Sequence, residues 1–500
     1  MKRVLVANRG EIALRIIRGC REEDLEAVAV YSDADAHSPH VEAADAAVHI
    51  GGSAPAESYL KIDALLAAAK ESGADAVHPG YGFLSERAEF ASAVTKAGLT
   101  WIGPPAAAIA AMGDKTSARK KMRDVGVPVV PGSVAPLKSA GEVAKLATTL
   151  GYPLLLKAAA GGGGRGMRVV RKESELEGAF TAAQGEAQGA FGDGRLYVER
   201  LLEGPRHVEI QLLADQHGRV VSLGERECSI QRRHQKLIEE APSVAVTAAI
   251  RRAMGEAAVR AAQSVRYVSA GTCEFMLMPN GDFFFLEMNT RLQVEHPVTE
   301  QVYGVDIVRM QLKVAQGHHL SLPERALTPR GWSIECRITS EDPFADFMPA
   351  GGMITDFRPP TGPGVRWDGW IERGVDVPVF YDSLLGKLIV WAESRERCIK
   401  RMRRALEDLV IVGVPTSREF HQRVMREPNF AKGAIDIDYW EKTGKALMAA
   451  PPDARLVEDA AIAAAMLEEE RRRSRAPEGA GPERPQPSGW VDEGRREGMR

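Results

Sequence analysis

Sixteen residues near the middle of the chain, FLEMNTRLQVEHPVTE (Phe285 to Glu300), combine side chains that can hold a cation and an oxyanion together. Side chains alternate faces along an extended strand. On that reading Glu287, Asn289, Arg291, Gln293 and Glu295 share one face, while Met288, Leu292 and Val294 share the other. Two carboxylates, two carboxamides and a guanidinium over an apolar backing suit a polar site, not a core. For an isolated alternating strand the alternative is a solvated face. The preceding stretch, GTCEFMLMPNGDFFFLE (Gly271 to Glu287), favours the site. Asn280-Gly281 between two apolar runs signals a hairpin, and a two-residue turn there places Glu274 directly opposite Glu287. Like charges opposed across a ladder are destabilising. A hard divalent cation with oxygen ligands, above all Mg²⁺, removes the conflict. Asn289 supplies a third oxygen on the same face. A solvated hairpin rim, or a register shifted by a bulge at Pro279, is the alternative.

Two further stretches carry chemistry. RHVEIQ (Arg206 to Gln211) alternates, with His207, Glu209 and Gln211 on one face. AAAGGGGRGMR (Ala158 to Arg168) follows the apolar run YPLLLK, which ends at Lys157. Glycines let backbone N–H groups approach phosphate oxygens and take positive φ. Alone, such a run is equally a flexible surface turn. It is not a Walker A loop, because GxxxxGK[ST] is absent. Cys228, in a segment expected to be buried, reads as a small hydrophobe.

These blocks, together with LVANRGEIALRIIR (Leu5 to Arg18), HPGYGFLSE (His78 to Glu86), ERECSIQRRHQK (Glu225 to Lys236) and GWSIECRI (Gly331 to Ile338), resemble biotin carboxylase, the ATP-grasp component of biotin-dependent carboxylases. The resemblance runs from about Lys2 to about Lys445. It implies an ATP-dependent ligase that carboxylates biotin from bicarbonate, with Mg²⁺ or Mn²⁺ as cofactor. It implies an ATP site of Lys115, Lys157, the glycines Gly161, Gly162, Gly163, Gly164 and Gly166, Glu199, the Leu202 backbone, His207, Gln231, His234, Glu274 and Glu287. The metal ligands it implies are Glu274, Glu287 and Asn289.

For the chemistry, the resemblance implies that Glu295 removes the bicarbonate proton, and that Arg291, Gln293, the Val294 backbone and Lys236 hold the anion. Arg337 would stabilise the biotin ureido enolate beside Arg291; a structural ion pair of Arg337 with Glu335 or another acid is the alternative. Asp438 stands where many family members carry a ribose-contacting His. Arg15, Arg18 and Glu22 match the family's dimer-facing helix, so a homodimer is expected, and Pro363 replaces an aromatic seen there in some relatives.

The expected fold is α/β (α+β overall). A Rossmann-like parallel domain spans 1–112, with strands at RVLVA, AVAVYS, AAVHI, DAVHP and TWIG. An ATP-grasp domain spans 113–330, with a mobile glycine-rich lid at about 130–200. A mixed, largely antiparallel C-terminal domain spans 331–445. The tail 446–500 reads as one helix over Asp453 to Arg475 followed by a disordered, charged stretch.

A net charge of −3 and a pI near 6.5 give no bulk attraction to nucleic acid or membrane, and 44% hydrophobic with 27% charged residues is an ordinary globular balance. Five scattered cysteines without CxxC spacing, and an N-terminus without a signal-peptide pattern, read as cytoplasmic. No Ala-Met-Lys-Met acceptor occurs, so the biotinyl group is expected on a separate carboxyl carrier protein, with carboxyltransferase chains as further partners. The expected setting is an acetyl-CoA carboxylase of the multi-subunit kind. The alternatives are a pyruvate, propionyl-CoA or other acyl-CoA carboxylase, another ATP-grasp carboxylate–amine ligase, and a non-catalytic nucleotide-binding subunit.

Overall fold

The computed structural model describes residues 1–133, 135–158, 167–322, 328–449 and 454–474. Its N-terminal sheet is parallel, and its strands fall on the five expected runs: Arg3–Val6, Glu26–Tyr31, Ala46–His49, Ala76–His78 and Thr100–Trp101. Strand order, numbering these five along the chain, is 3-2-1-4-5. The first, second and fourth strands are almost wholly buried, so they read as unbroken apolar runs and not as alternation. The helix Gly10–Glu22 drives Ile12, Ile16, Ile17 and Cys20 into a core shared with Ile307, Val308 and Leu312. That spacing puts one apolar stripe along the helix. In doubly wound sheets, ligands gather beyond the carboxyl ends of strands; Asn8 to Glu11 sit there, after Arg3–Val6.

A second sheet of eight antiparallel strands carries most of the polar residues singled out above. Its order is Phe283–Asn289, Ser269–Leu277, Arg206–Ala214, Val220–Arg232, Gln235–Ala241, Trp332–Thr339, Leu384–Ala392 and Val365–Gly369. It runs unbroken past residue 331, so strands on both sides of that position build one surface. A third, small sheet, Met167–Val170, Leu154–Ala158 and Leu196–Arg200, has its own core of Val143, Leu154, Leu156, Phe180 and Val198 under two helices.

The hairpin corrects the expected turn. Met278 and Asp282 close a loop of Pro279, Asn280 and Gly281, three residues and not two. Leu277 accordingly pairs with Phe283 and Phe275 with Phe285. A bulge at Leu286 then restores the register, and Glu274 does face Glu287. The pairing is right because two one-residue offsets cancel. The extended strand also stops earlier than expected, at Asn289. Thr290 to Glu295 turn away from the ladder and lead into the helix His296–Tyr303, for which Glu295 is the N-cap residue.

Of the three residues expected on a dimer face, Arg15 differs from the other two in its setting within the chain. It is buried, and its guanidinium bridges Glu300 at 2.9 Å and Asp306 at 2.7 Å, while Arg18 and Glu22 are exposed one turn apart. Among the described residues no helix is long and apolar enough to cross a membrane.

Contacts divide the chain into Met1–Met448 and Ala449–Arg500; within the second, the helix Ala454–Ser474 matches the expected one to a residue at each end. Among the described residues every core cluster lies in the first body. A chain ending at Met448 is therefore expected to keep its thermal midpoint within about 2 °C of the full chain and to retain carboxylation of free biotin. Loss of soluble, active protein on truncation would show that the tail helix packs on the body.

Candidate active site

One row of paired residues crosses four strands of the large sheet: Glu287, Glu274, Glu209 and Arg226. Residues paired across an antiparallel ladder project from the same face, so three carboxylates and one guanidinium lie side by side. Arg226 is fully buried and anchors the row. It donates to Glu209 at 2.5 Å, Gln211 at 2.6 Å, Thr299 at 2.9 Å and Thr272 at 3.1 Å. A buried charge with that many partners fixes neighbouring side chains instead of reacting itself.

Lys236, next to the turn that joins the strands Val220–Arg232 and Gln235–Ala241, reaches into this row. Its ammonium lies 2.6 Å from Glu209, 2.9 Å from Glu274 and 2.6 Å from Glu295. Burial works against its charge, but Glu209, Glu274 and Glu295 outweigh it and hold the lysine firmly protonated. Glu295 is gripped from the other side by Arg337, at 2.9 Å. Burial opposes its ionisation, yet Lys236, Arg337 and Arg226 keep its carboxyl well below the usual carboxylate range. Arg337 itself pairs with Glu295 and, at 2.6 Å, with Glu239. Glu335, the partner that its sequence neighbourhood suggested, is not bonded to it.

Glu274 is shared. Its carboxylate meets Lys236, the His207 ring at 3.1 Å and the Asn289 amide at 2.8 Å. Burial is again outweighed, here by Lys236 and His207, and the carboxyl stays ionised. In return, Glu274 overcomes the burial cost at His207 and moves its ring toward the protonated form. Asn289 departs from expectation in one respect: its carbonyl oxygen accepts from Arg291 at 3.2 Å, and its amide nitrogen, not its oxygen, faces Glu274. The reason is local. With a lysine and a histidine already on Glu274, a donor satisfies that carboxylate and an acceptor satisfies the guanidinium. Rotating the amide by half a turn would turn its oxygen toward Glu274.

Arg291 is fixed at 2.9 Å by Glu86, which closes the block HPGYGFLSE, and it also donates to Gln293 at 3.1 Å. The Val294 carbonyl accepts from the fully buried Lys387 at 2.8 Å. Gln231 donates to the Cys228 carbonyl at 2.8 Å. His234 is exposed and shares a two-residue turn with Arg233, both with positive φ (65° and 50°). A tight hairpin turn demands that conformation, and non-glycine residues held there mark sites where position outweighs backbone ease. Cys228 is buried, and burial pushes its thiol well up, as the small-hydrophobe reading requires.

Two of the remaining expected residues, Lys157 and Glu199, meet at a second locus. Lys157 and Glu199 lie on the small sheet 2.5 Å apart, and Arg119 also pairs with Glu199. Leu202 follows on the link to the large sheet. Lys115 begins the helix Lys115–Asp124, though its side chain lies outside the described residues, as do Gly161, Gly162, Gly163, Gly164 and Gly166. Asp438 is exposed, with Lys442 3.5 Å away. Sequence reasoning passed over Glu86, Arg119, Arg226, Glu239 and Lys387. Glu86 ends a quoted block and Arg226 sits inside another, so both were within reach; the other three carry no local pattern.

Three family descriptions match the chain in succession: "Biotin carboxylase, N-terminal domain" over residues 1–109, "Carbamoyl-phosphate synthase L chain, ATP binding domain" over 114–323, and "Biotin carboxylase C-terminal domain" over 335–442. The chain is similar to the biotin carboxylase of Nostoc sp., at 51% identity covering 89% of this chain and 99% of that protein. It is similar to a pyruvate carboxylase subunit of Methanothermobacter thermautotrophicus, at 50% identity covering 87% and 89%. Among solved structures it resembles the biotin carboxylase domain dimer of the Hydrogenobacter thermophilus 2-oxoglutarate carboxylase, bound to MgADP, ADP and bicarbonate, with TM-score 0.84 and 45% identity covering 90% and 99%. The fold and the row of carboxylates facing a lysine thus define an ATP-dependent ligase of the ATP-grasp class. Within that class, the chain belongs to the biotin carboxylase family.

Proposed function

We propose that this chain is the biotin carboxylase component of an acetyl-CoA carboxylase of the multi-subunit kind, charging biotin on a separate carrier protein through carboxyphosphate. The cofactors are ATP and Mg²⁺. The observation that carries the carboxylation step is Glu295 held between Lys236 and Arg337. Bicarbonate is a poor electrophile and must be activated by phosphorylation. Glu295 takes its proton, and the freed oxygen attacks the γ-phosphate of ATP, releasing ADP. With no substrate bound, two cations make Glu295 a weak base. Arrival of bicarbonate and triphosphate draws Lys236 toward the new anions, and the proton affinity of Glu295 rises.

Arg291, already braced by Glu86, forks onto two bicarbonate oxygens, with Gln293 and the Val294 N–H beside it. Lys236 supplies positive charge where negative charge develops. Lys115, Lys157 and the glycines from Gly161 to Gly166 take the phosphates, and Glu199, Leu202, His207, Gln231 and His234 the rest of the nucleotide. Glu274 and Glu287, opposed across the ladder with Asn289 adjacent, fit a hard divalent ion, which neutralises phosphate charge when bound. Carboxyphosphate falls apart to CO₂ and phosphate, the phosphate takes the ureido N–H proton, and Arg337 stabilises the enolate that captures CO₂.

The direct test is transfer of labelled bicarbonate to free biotin with MgATP, followed by identification of the biotinylated protein and transferase that co-purify with the chain. Membership of a pyruvate or 2-oxoglutarate carboxylase is the second reading; 50% identity to the Methanothermobacter pyruvate carboxylase chain favours it, and the co-purifying transferase separates the two. A homodimer and a cytoplasmic setting belong to the same proposal.

Removing either opposed anion weakens the metal. The variants are Glu287→Gln and Glu274→Gln, and Glu274→Gln also removes a charge that Lys236 and His207 meet. Both variants are expected to need about tenfold more Mg²⁺ or beyond for half-maximal activity. Unchanged Mg²⁺ titrations in both would refute the assignment.

A further inference from the structure

Beside Arg337, two more acids are buried. Glu239 and Glu335 face each other across the strands Gln235–Ala241 and Trp332–Thr339, both with no exposure. Glu239 accepts from the Arg337 Nε at 2.6 Å with one oxygen, and its other oxygen has no hydrogen-bond partner among the described residues. Both oxygens of Glu335 are partnerless in the same sense. Two buried carboxylates opposed across a ladder do not readily both stay ionised. The one bonded to a guanidinium keeps the charge, and the bare one keeps its proton.

We propose that Glu239 is a positioning residue for biotin carboxylation: its single negative charge, backed by a neutral Glu335, holds Arg337 so that the other guanidinium nitrogens face the reacting centre. The proposal rests on the reading of Arg337 given above. Arg337 has two fixed contacts, Glu239 at Nε and Glu295 at a terminal nitrogen. When Glu295 takes the bicarbonate proton its hold weakens. Glu239 is then the anchor that remains, at the moment the guanidinium must meet the enolate. Neutral Glu335 makes this possible, since a second charge would pull Arg337 backward into the sheet.

The titration behaviour of the groups agrees with this. Burial raises the Glu335 carboxyl well above its ordinary range, and nearby Glu239 adds to the rise against the pull of Lys387 and Arg337. Burial also pushes Glu239 up, to about 7, against Arg337 and Lys236 and with Glu295 adding to the rise. The groups facing Glu239 are Lys236 on its own strand, Glu335, Arg337 and the Cys336 thiol on one neighbouring strand, the Cys228 thiol on the other, and Glu295 before the helix His296–Tyr303. Protonation of Glu239 just below neutral pH frees the Arg337 Nε.

The test uses the full chain with free biotin at saturating MgATP and bicarbonate. In Glu239→Gln, kcat/KM for biotin is expected to fall about tenfold to a hundredfold while the KM for MgATP stays within about threefold. Wild-type kcat/KM is expected to fall as pH drops through about 7, and this fall is expected to be absent in the variant. Glu239→Asp keeps the charge and is expected to recover part of the loss, and it carries the same split of parameters if the glutamine variant does not fold. Glu335→Gln, which swaps one neutral group for another, is expected to match wild type within about twofold. Wild-type kcat/KM in Glu239→Gln, or an equal loss for MgATP and biotin, overturns the positioning role, and a tenfold loss in Glu335→Gln overturns the neutral backing. Absence of biotin carboxylation by the wild-type chain would instead reject the proposed function itself.

Discussion

Glu295→Gln is expected to lower biotin-dependent ATP hydrolysis by about 10²- to 10⁴-fold, the usual worth of a general base, with nucleotide affinity retained. The carboxamide keeps the size of the side chain and can still accept from Lys236 or Arg337, but it cannot take up a proton. Fold and pocket should survive the change. Lys236 keeps Glu209 and Glu274, at 2.6 and 2.9 Å, and Arg337 keeps Glu239. The proposed adenine end of the site, Glu199 and Leu202, lies on other strands and links. Steady-state turnover and nucleotide binding measured on one preparation separate the two effects. Near wild-type turnover would remove Glu295 as the base. A loss of nucleotide affinity as large as the loss of turnover would make it a structural member of the carboxylate row.

Much of this layout is legible in local pattern. The five parallel strands stand on β-branched runs, and the helix Gly10–Glu22 on the spacing of Ile12, Ile16 and Cys20. The opposition of Glu274 and Glu287 follows from an Asn-Gly signal, although the loop is one residue longer than that signal implies and a bulge at Leu286 makes up the difference. Such a compensation has no sequence signature, because a bulge is set by how the strand meets its sheet. Alternation misleads after Asn289 for a related reason: the polar period continues, but the chain leaves the ladder to cap a helix. The largest gap is in partners far apart in sequence. Arg291 is braced by Glu86, Arg337 by Glu239, and the Val294 carbonyl by Lys387. These contacts depend on strand order across the eight-stranded sheet, and a period of two says which face a residue takes but not which strand lies beside it.

Arg337→Gln is expected to cut biotin carboxylation by about 10²- to 10³-fold, the cost of losing one donor to an oxyanion in a water-poor site. Slow bicarbonate-dependent ATP hydrolysis without biotin is expected to persist, since Lys236, Arg291 and Glu295 remain. The geometry adds a second, independent signature. Without the guanidinium, Glu239 loses the hydrogen bond it accepts at 2.6 Å and stays fully buried. Burial already lifts its carboxyl to about 7 with Arg337 present, so in the variant it takes up a proton above neutral pH as well. A group whose folded pKa exceeds its unfolded one withdraws stability as pH rises through that range. The variant's deficit in thermal midpoint should therefore be small at about pH 6 and larger at about pH 8. Both hydrolysis rates and both midpoints, taken on one preparation, test the assignment. If the two rates fall by the same factor, Arg337 serves phosphate transfer or folding and not biotin. If the midpoint deficit is the same at both pH values, Glu239 is not the carboxylate that Arg337 neutralises.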